Sequence, residues 1–222
     1  MAEHYERLKL LFVDDAQYTR FLLREILRGT HWTNAEIVGS AAEAFERIIA
    51  EPPDLVFTDW QMPGQSGLDL IRDIRLRPDS PDPLLPVILL TANGDVEHVI
   101  SAREAGASGY LVKPIALGRI TERVVDVVTR QRPFIVSPNY KGPDWRRIDE
   151  PVDFERRGGD QPASNVIVLP PDGLLLAKVH GDVVAFREAM RRRAEAIAIV
   201  KQVTGLTGVD QAQQPSLGGV VA

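Results

Sequence analysis

The sequence predicts an α/β protein: a doubly wound parallel sheet of five strands, then a proline-rich stretch and a long C-terminal helix. Three observations carry this expectation. Short apolar runs alternate five times with amphipathic helical patterns within residues 1–130. The runs are apolar throughout rather than at every second residue, which marks strands covered on both faces. Acidic or polar residues stand directly after several runs, where open parallel sheets hold their ligands.

Taken in order, the first strand is expected over residues 8–13 and ends in Asp14 and Asp15; the first helix follows over 17–28 and stops at Gly29. Strand two is expected over 35–38 and helix two over 41–50, with Ser40 as N-cap. Strand three, over 54–58, lies between Pro52, Pro53 and Pro63, Gly64, and Asp59 stands at its end. Helix three is expected over 68–77, capped by Ser66. The tract RPDSPDPLLP cannot continue either neighbour. Strand four, over 86–90, leads into Thr91, and helix four over 96–105 stops at Gly106. Strand five, over 108–112, leads into Lys113 and Pro114, and helix five runs over 116–130.

Asp14, Asp15 and Asp59 would thus meet at the ends of two strands. Three carboxylates there repel one another unless a cation holds them, and hard oxygen donors near water suit Mg²⁺, with Mn²⁺ as a substitute. Thr91 and Lys113 bring a hydroxyl and an ammonium to the same end. Each can bond one oxygen of an acyl phosphate.

With these residues in hand, the sequence resembles the receiver domain of two-component response regulators. The resemblance rests on the acidic pair Asp14 and Asp15; on Asp59, Met62, Pro63 and Gly67; on Thr91 and Ala92; and on Lys113 and Pro114. It implies a flavodoxin-like fold with strand order 2-1-3-4-5. It also implies phosphorylation of Asp59 by a sensor histidine kinase or phosphotransfer protein, with no enzymatic activity beyond the chain's own phosphotransfer and autodephosphorylation. Mg²⁺ would be held by Asp15, Asp59 and the backbone carbonyl of Gln61, with Asp14 acting through water. Lys113 and Thr91 would bond phosphoryl oxygens, and Tyr110 matches the switch aromatic that turns inward as Thr91 moves. Gln61 and Asn93 flank the site and would tune hydrolysis, giving a phosphorylated form that decays within minutes. The alternative within the family is a degenerate receiver that no longer takes phosphate.

Length and composition bound the rest. The 222 residues suffice for one receiver, over 1–130, and an appendage. There is no cysteine, so disulfides and thiolate metal sites are excluded. No membrane span or signal core is read, and the expected location is cytoplasmic. Residues 1–130 hold 14 Lys and Arg against 20 Asp and Glu, a net of −6; the remainder carries +1. Neither part is basic enough to point to nucleic acid.

Residues 131–171 contain seven prolines and read as an extended linker. In NVIVLPPDGLLLAKV, two apolar runs flank Pro-Pro-Asp-Gly, which signals a hairpin, or else a helix capped by Asp172. Residues 172–205 form the helical extension. Its long helix would present Val183, Phe186, Met190, Ile197 and Val200 on one stripe, interrupted by Arg193, against its own receiver, a second copy or a partner. Residues 206–222 read as a disordered tail. No enzymatic output motif is present, so signalling is expected through contacts with an unknown downstream protein. A DNA-binding regulator using the basic helix is the alternative.

Overall fold

The computed structural model describes residues 4–92, 94–145 and 166–205. Five strands, β1 (Leu10–Val13), β2 (Ala35–Val38), β3 (Leu55–Asp59), β4 (Val87–Thr91) and β5 (Gly109–Val112), form one parallel sheet in the order β2-β1-β3-β4-β5. All residues of β1 and β4 are buried, as their unbroken apolar runs require. Successive side chains point to opposite faces, so each strand feeds two cores. On one face Leu11, Val56 and Leu89 pack against α2 (Ala41–Ala50), α3 (Gly67–Leu76) and α4 (Val96–Glu104). On the other, Phe12, Phe57 and Leu90 meet α1 (Gln17–Arg28) and α5 (Leu117–Thr129). Register is fixed there by Phe12 and Phe57, paired across β1 and β3, whose rings stack at 4.8 Å.

The helix starts follow from local chemistry. Ser40 Oγ accepts from Glu43 N, and Ser66 and Asp69 form a reciprocal capping box. Gly106 ends α4 one place after its cap at φ +91°, a conformation that disfavours any residue with a Cβ.

Beyond α5 the structure corrects the linker expectation. Strands β6 (Phe134–Ser137) and β7 (Tyr140–Pro143) form a hairpin, and β8 (Ile167–Leu169) pairs antiparallel with β6. Pro133, Pro138 and Pro143 stand at strand ends or in the turn, where proline's missing donor does little harm. The hairpin expected around Pro-Pro-Asp-Gly does not form. Instead Asp172 Oδ1 accepts from Leu174 N at 2.8 Å, and α6 (Leu174–His180) begins after Gly173 as N-cap, one place later than the capping alternative has it. The stretch 146–165 and the expected disordered tail, 206–222, lie outside the described residues.

The long helix exists as α7 (Val183–Val203), but its buried face is shifted from the expected stripe. Val183 and Met190 are exposed, while Ala189 and Val200 are buried. Arg193 lies on the buried face, its guanidinium bonded to Asp82 at 2.7 Å and Asp172 at 2.6 Å. Two paired carboxylates make an arginine admissible in a seam that periodicity reserves for apolar groups. The helix covers its own chain: Val200 and Ala196 pack with Leu84, Phe134, Val136 and Leu169.

The extension caps the N-terminal edge of the parallel sheet. Leu175 and Val179 of α6 join the core that holds Leu8, Leu55 and Val128. Trp145 donates its indole N–H to the Ala107 carbonyl at 3.1 Å, between α4 and β5. Arg75, fully buried, donates to the carbonyls of Gly106, Pro83 and Leu85. Burial pulls its pKa down to about 10, so it stays charged at neutral pH. Among the described residues no helix is long and apolar enough to cross a membrane.

Candidate functional site

The sheet reverses its order of growth between β1 and β3, and the residues that leave these two strands meet at that switch point. Val13 pairs with Thr58, so Asp14 and Asp59, each one residue further on, emerge side by side. Lys113, directly after β5, reaches back across β4. Its Nζ stands 2.8 Å from Asp14 Oδ2 and 2.9 Å from Asp59 Oδ2. One oxygen each of Asp14, Asp15 and Asp59 lie within 4.8 Å of one another.

The electrostatics favour a divalent cation. Like charges at this spacing repel by roughly 3 to 4 kcal/mol per pair at an effective dielectric constant near 20. Three carboxylates against one ammonium leave a local charge of −2. Burial pushes the Asp59 carboxyl above its ordinary value, against the pull of Lys113, and the charge of Asp14 adds to the rise. For Lys113, burial acts downward, but hydrogen bonds to Asp14 and Asp59 outweigh it and hold the ammonium above its ordinary value. A hard cation among these oxygens relieves the repulsion, so the donor set fits Mg²⁺.

The backbone around Asp59 is shaped by close approach. A Cβ built on Gly67 would stand 2.1 Å from the Asp59 carbonyl oxygen, and Gly67 N donates to the Trp60 carbonyl at 3.0 Å. Only glycine lets α3 start so near the strand end. Asp14 is fully buried, with Oδ1 accepting from Ala16 N at 2.9 Å. Its carbonyl and that of Asp15 both accept from Arg20 Nη1, at 2.8 and 2.6 Å. Arg20 therefore clamps the acidic loop from the first turn of α1.

A cleft of about 150 Å³ opens over the cluster, lined by Asp59, Gln61, Thr91 and Lys113 together with Trp60 and His98. Of the residues expected at the site, Asp14, Asp15, Asp59, Gln61, Thr91 and Lys113 are thus brought together. Tyr110 is not in the cleft. It sits on β5 opposite Leu89, half-buried against the α3–α4 core. Asn93 lies outside the described residues.

Sequence reasoning missed Arg20, Trp60 and His98. The ring of His98 leans on Trp60 with centroids 4.8 Å apart, and its Nδ1 is bonded to Asp95 Oδ1. A signal for the last pair existed. Asp95 caps α4, and a side chain three places on reaches back to such a cap, a role usually given to Glu or Gln.

Residues 10–125 match the response regulator receiver domain family, which is half of the chain. The chain is 33% identical over 125 residues to chemotaxis protein CheY-3 of Vibrio cholerae, covering 56% of this chain and 95% of that protein. It is 32% identical to chemotaxis protein CheY of Pseudomonas aeruginosa, covering 55% and 98%. Among solved structures, the receiver domain of nitrogen regulatory protein C aligns with a TM-score of 0.48 at 29% identity, covering 57% of this chain and 98% of that one.

Proposed function

The chain belongs to the response regulator receiver family of two-component systems, and on that premise we propose that Asp59 accepts a phosphoryl group from a phosphohistidine of a sensor kinase or phosphotransfer protein. The carrying observation is the Lys113 ammonium bridging Asp14 and Asp59 beside Asp15, at the mouth of a water-accessible cleft. The Asp59 carboxylate attacks phosphorus as the imidazole nitrogen of the donor leaves in line. Lys113 then exchanges its bond to Asp59 for one to a phosphoryl oxygen, and the Thr91 hydroxyl bonds another.

Asp15, Asp59 and the Gln61 carbonyl would hold Mg²⁺ directly. Asp14, already engaged by Lys113 and Ala16 N, would act through water. Bound there, the ion supplies charge neutralisation at the phosphoryl oxygens. Drawing Thr91 inward opens space towards Tyr110 on the neighbouring strand, and the altered surface is read by a downstream protein. The protein performs this exchange in the cytoplasm.

Phosphotransfer from candidate histidine kinases, followed by label on the full chain with and without Mg²⁺, tests the reading. Label is expected on wild type with Mg²⁺ and not on Asp59→Ala. Equal labelling of the two would overturn it.

A further inference from the structure

We infer that His98, oriented by Asp95, is the general base for hydrolysis of the phosphorylated protein, and so sets how long the phosphoryl group persists. This rests on the reading of Asp59 as phosphoacceptor and names the group that ends the signal.

Position comes first. His98 lines the same cleft as Asp59, Thr91 and Lys113, and its side chain is 29% exposed, so water reaches it. Orientation comes second. Asp95 Oδ1 accepts from the His98 backbone N–H at 2.9 Å and also bonds Nδ1 of the ring. From the other side the ring rests on Trp60, tilted by 58°. An imidazole whose Nδ1 hydrogen is given to a carboxylate carries its lone pair on Nε2. The hydrogen bonds from the His98 backbone and ring hold the Asp95 carboxyl below its ordinary value, which keeps it an acceptor at neutral pH.

Among the described residues that line the cleft there is no better base. Gln61 has only an amide, which orients a water but takes no proton at neutral pH. Lys113 is charged and bonded to two carboxylates. In the step assigned here, a water oxygen attacks phosphorus while one of its protons passes to His98 Nε2. The P–O bond to Asp59 breaks with its electron pair returning to the carboxylate, and inorganic phosphate leaves. The imidazolium then gives its proton to solvent. Among the described residues, Asp95 bonds the ring, Glu97 is the other acidic residue of the helix's first turn, and Asp59 and Lys113 share the cleft; Trp60 and Gln61 are uncharged.

The full chain is phosphorylated with phosphoramidate and Mg²⁺, the donor is removed, and phosphate release is followed from pH 5 to 8. Wild-type decay is expected to accelerate with pH, because a general base must shed its own proton before it can take one from water. His98→Ala should decay about tenfold or more slowly, with the rising limb flattened. Asp95→Asn, which keeps the ring but frees it, should slow decay severalfold and displace the profile. Wild-type half-life and pH profile in both variants would overturn the inference while leaving the phosphoacceptor intact. Failure of wild type to take up phosphate at all would instead overturn the reading on which it rests.

Discussion

The two ends of the parallel sheet both hold a cation between two carboxylates, and they use it in opposite ways. At the C-terminal end Lys113 bridges Asp14 and Asp59, a third carboxylate stands alongside, and a cleft opens above. At the N-terminal end Arg193 bridges Asp82 and Asp172, and the side chains of all three are no more than 15% exposed. Burial lowers the pKa of Arg193, but the two carboxylates more than reverse this. The planar guanidinium gives separate donors to its two partners and is closed off by the extension. Lys113 is a compact, more accessible point charge that can exchange partners. The C-terminal end leaves a charge of −2 and oxygen ligands facing a cleft; the N-terminal end leaves −1, with its three side chains nearly closed off from water.

That contrast breaks if the two ends fail to separate transfer from stability. The largest expected effect is Asp59→Asn: phosphoryl label should fall at least about a hundredfold, as removal of a covalent nucleophile implies. Stability measured by urea unfolding in chelator should rise, because the variant removes a charge that burial disfavours. The sign follows from linkage. A carboxyl whose folded pKa is raised binds its proton more tightly in the folded state, so its unfavourable contribution is present at neutral pH and fades as pH falls through the folded value. The lead of Asp59→Asn over wild type should therefore narrow on acidification. Adding Mg²⁺ should stabilise wild type more than the variant.

Arg193→Ala is the converse. It leaves Asp82 and Asp172 buried without their cation, which costs about 3 to 5 kcal/mol. Amide exchange should show the loss in α7 and β8, while label on Asp59 from phosphoramidate changes by less than about twofold. Equal loss of label would show that the two ends are not separable.

Most of the receiver is legible because each of its signals is local. Apolar runs bounded by proline and glycine mark the strands, Ser40 and Ser66 mark helix starts, and Asp14, Asp59, Thr91 and Lys113 each stand at the last residue of a strand or one place past it. The elements that escaped are those whose partners are distant. Within the described part of the linker, the reading failed over 134–143 because β6 and β7 are only four residues each, and over 167–169 because β8 pairs with β6 across about thirty residues. Arg193 looked like a flaw in a stripe because its acceptors lie 111 and 21 residues away. Arg20 gave no signal, since its acceptors are backbone carbonyls of a loop. The glycine at 106 was legible as a stop. Its second role was not: a Cβ there would stand 2.4 Å from the Lys141 carbonyl, so the same residue also admits the β6–β7 hairpin.

Two aspartates mark the two ends of β3 and give the smallest and sharpest test. Asp59 closes the strand at the reactive end, and Asp54 precedes it at the structural end, where its Oδ2 accepts from Lys9 N at 2.6 Å and pairs with Lys178 of α6. Lys178 is one-third exposed, so its charge is largely screened and the pair is worth about 1 kcal/mol or less. Lys178→Met keeps most of the side chain's aliphatic stem and leaves Asp54 its backbone donor, Lys9 N. Urea unfolding should register at most about 1 kcal/mol, and salt should shrink the difference between variant and wild type. A loss as large as that expected for Arg193→Ala would mean that α6, and not α7, is what fastens the extension to the sheet.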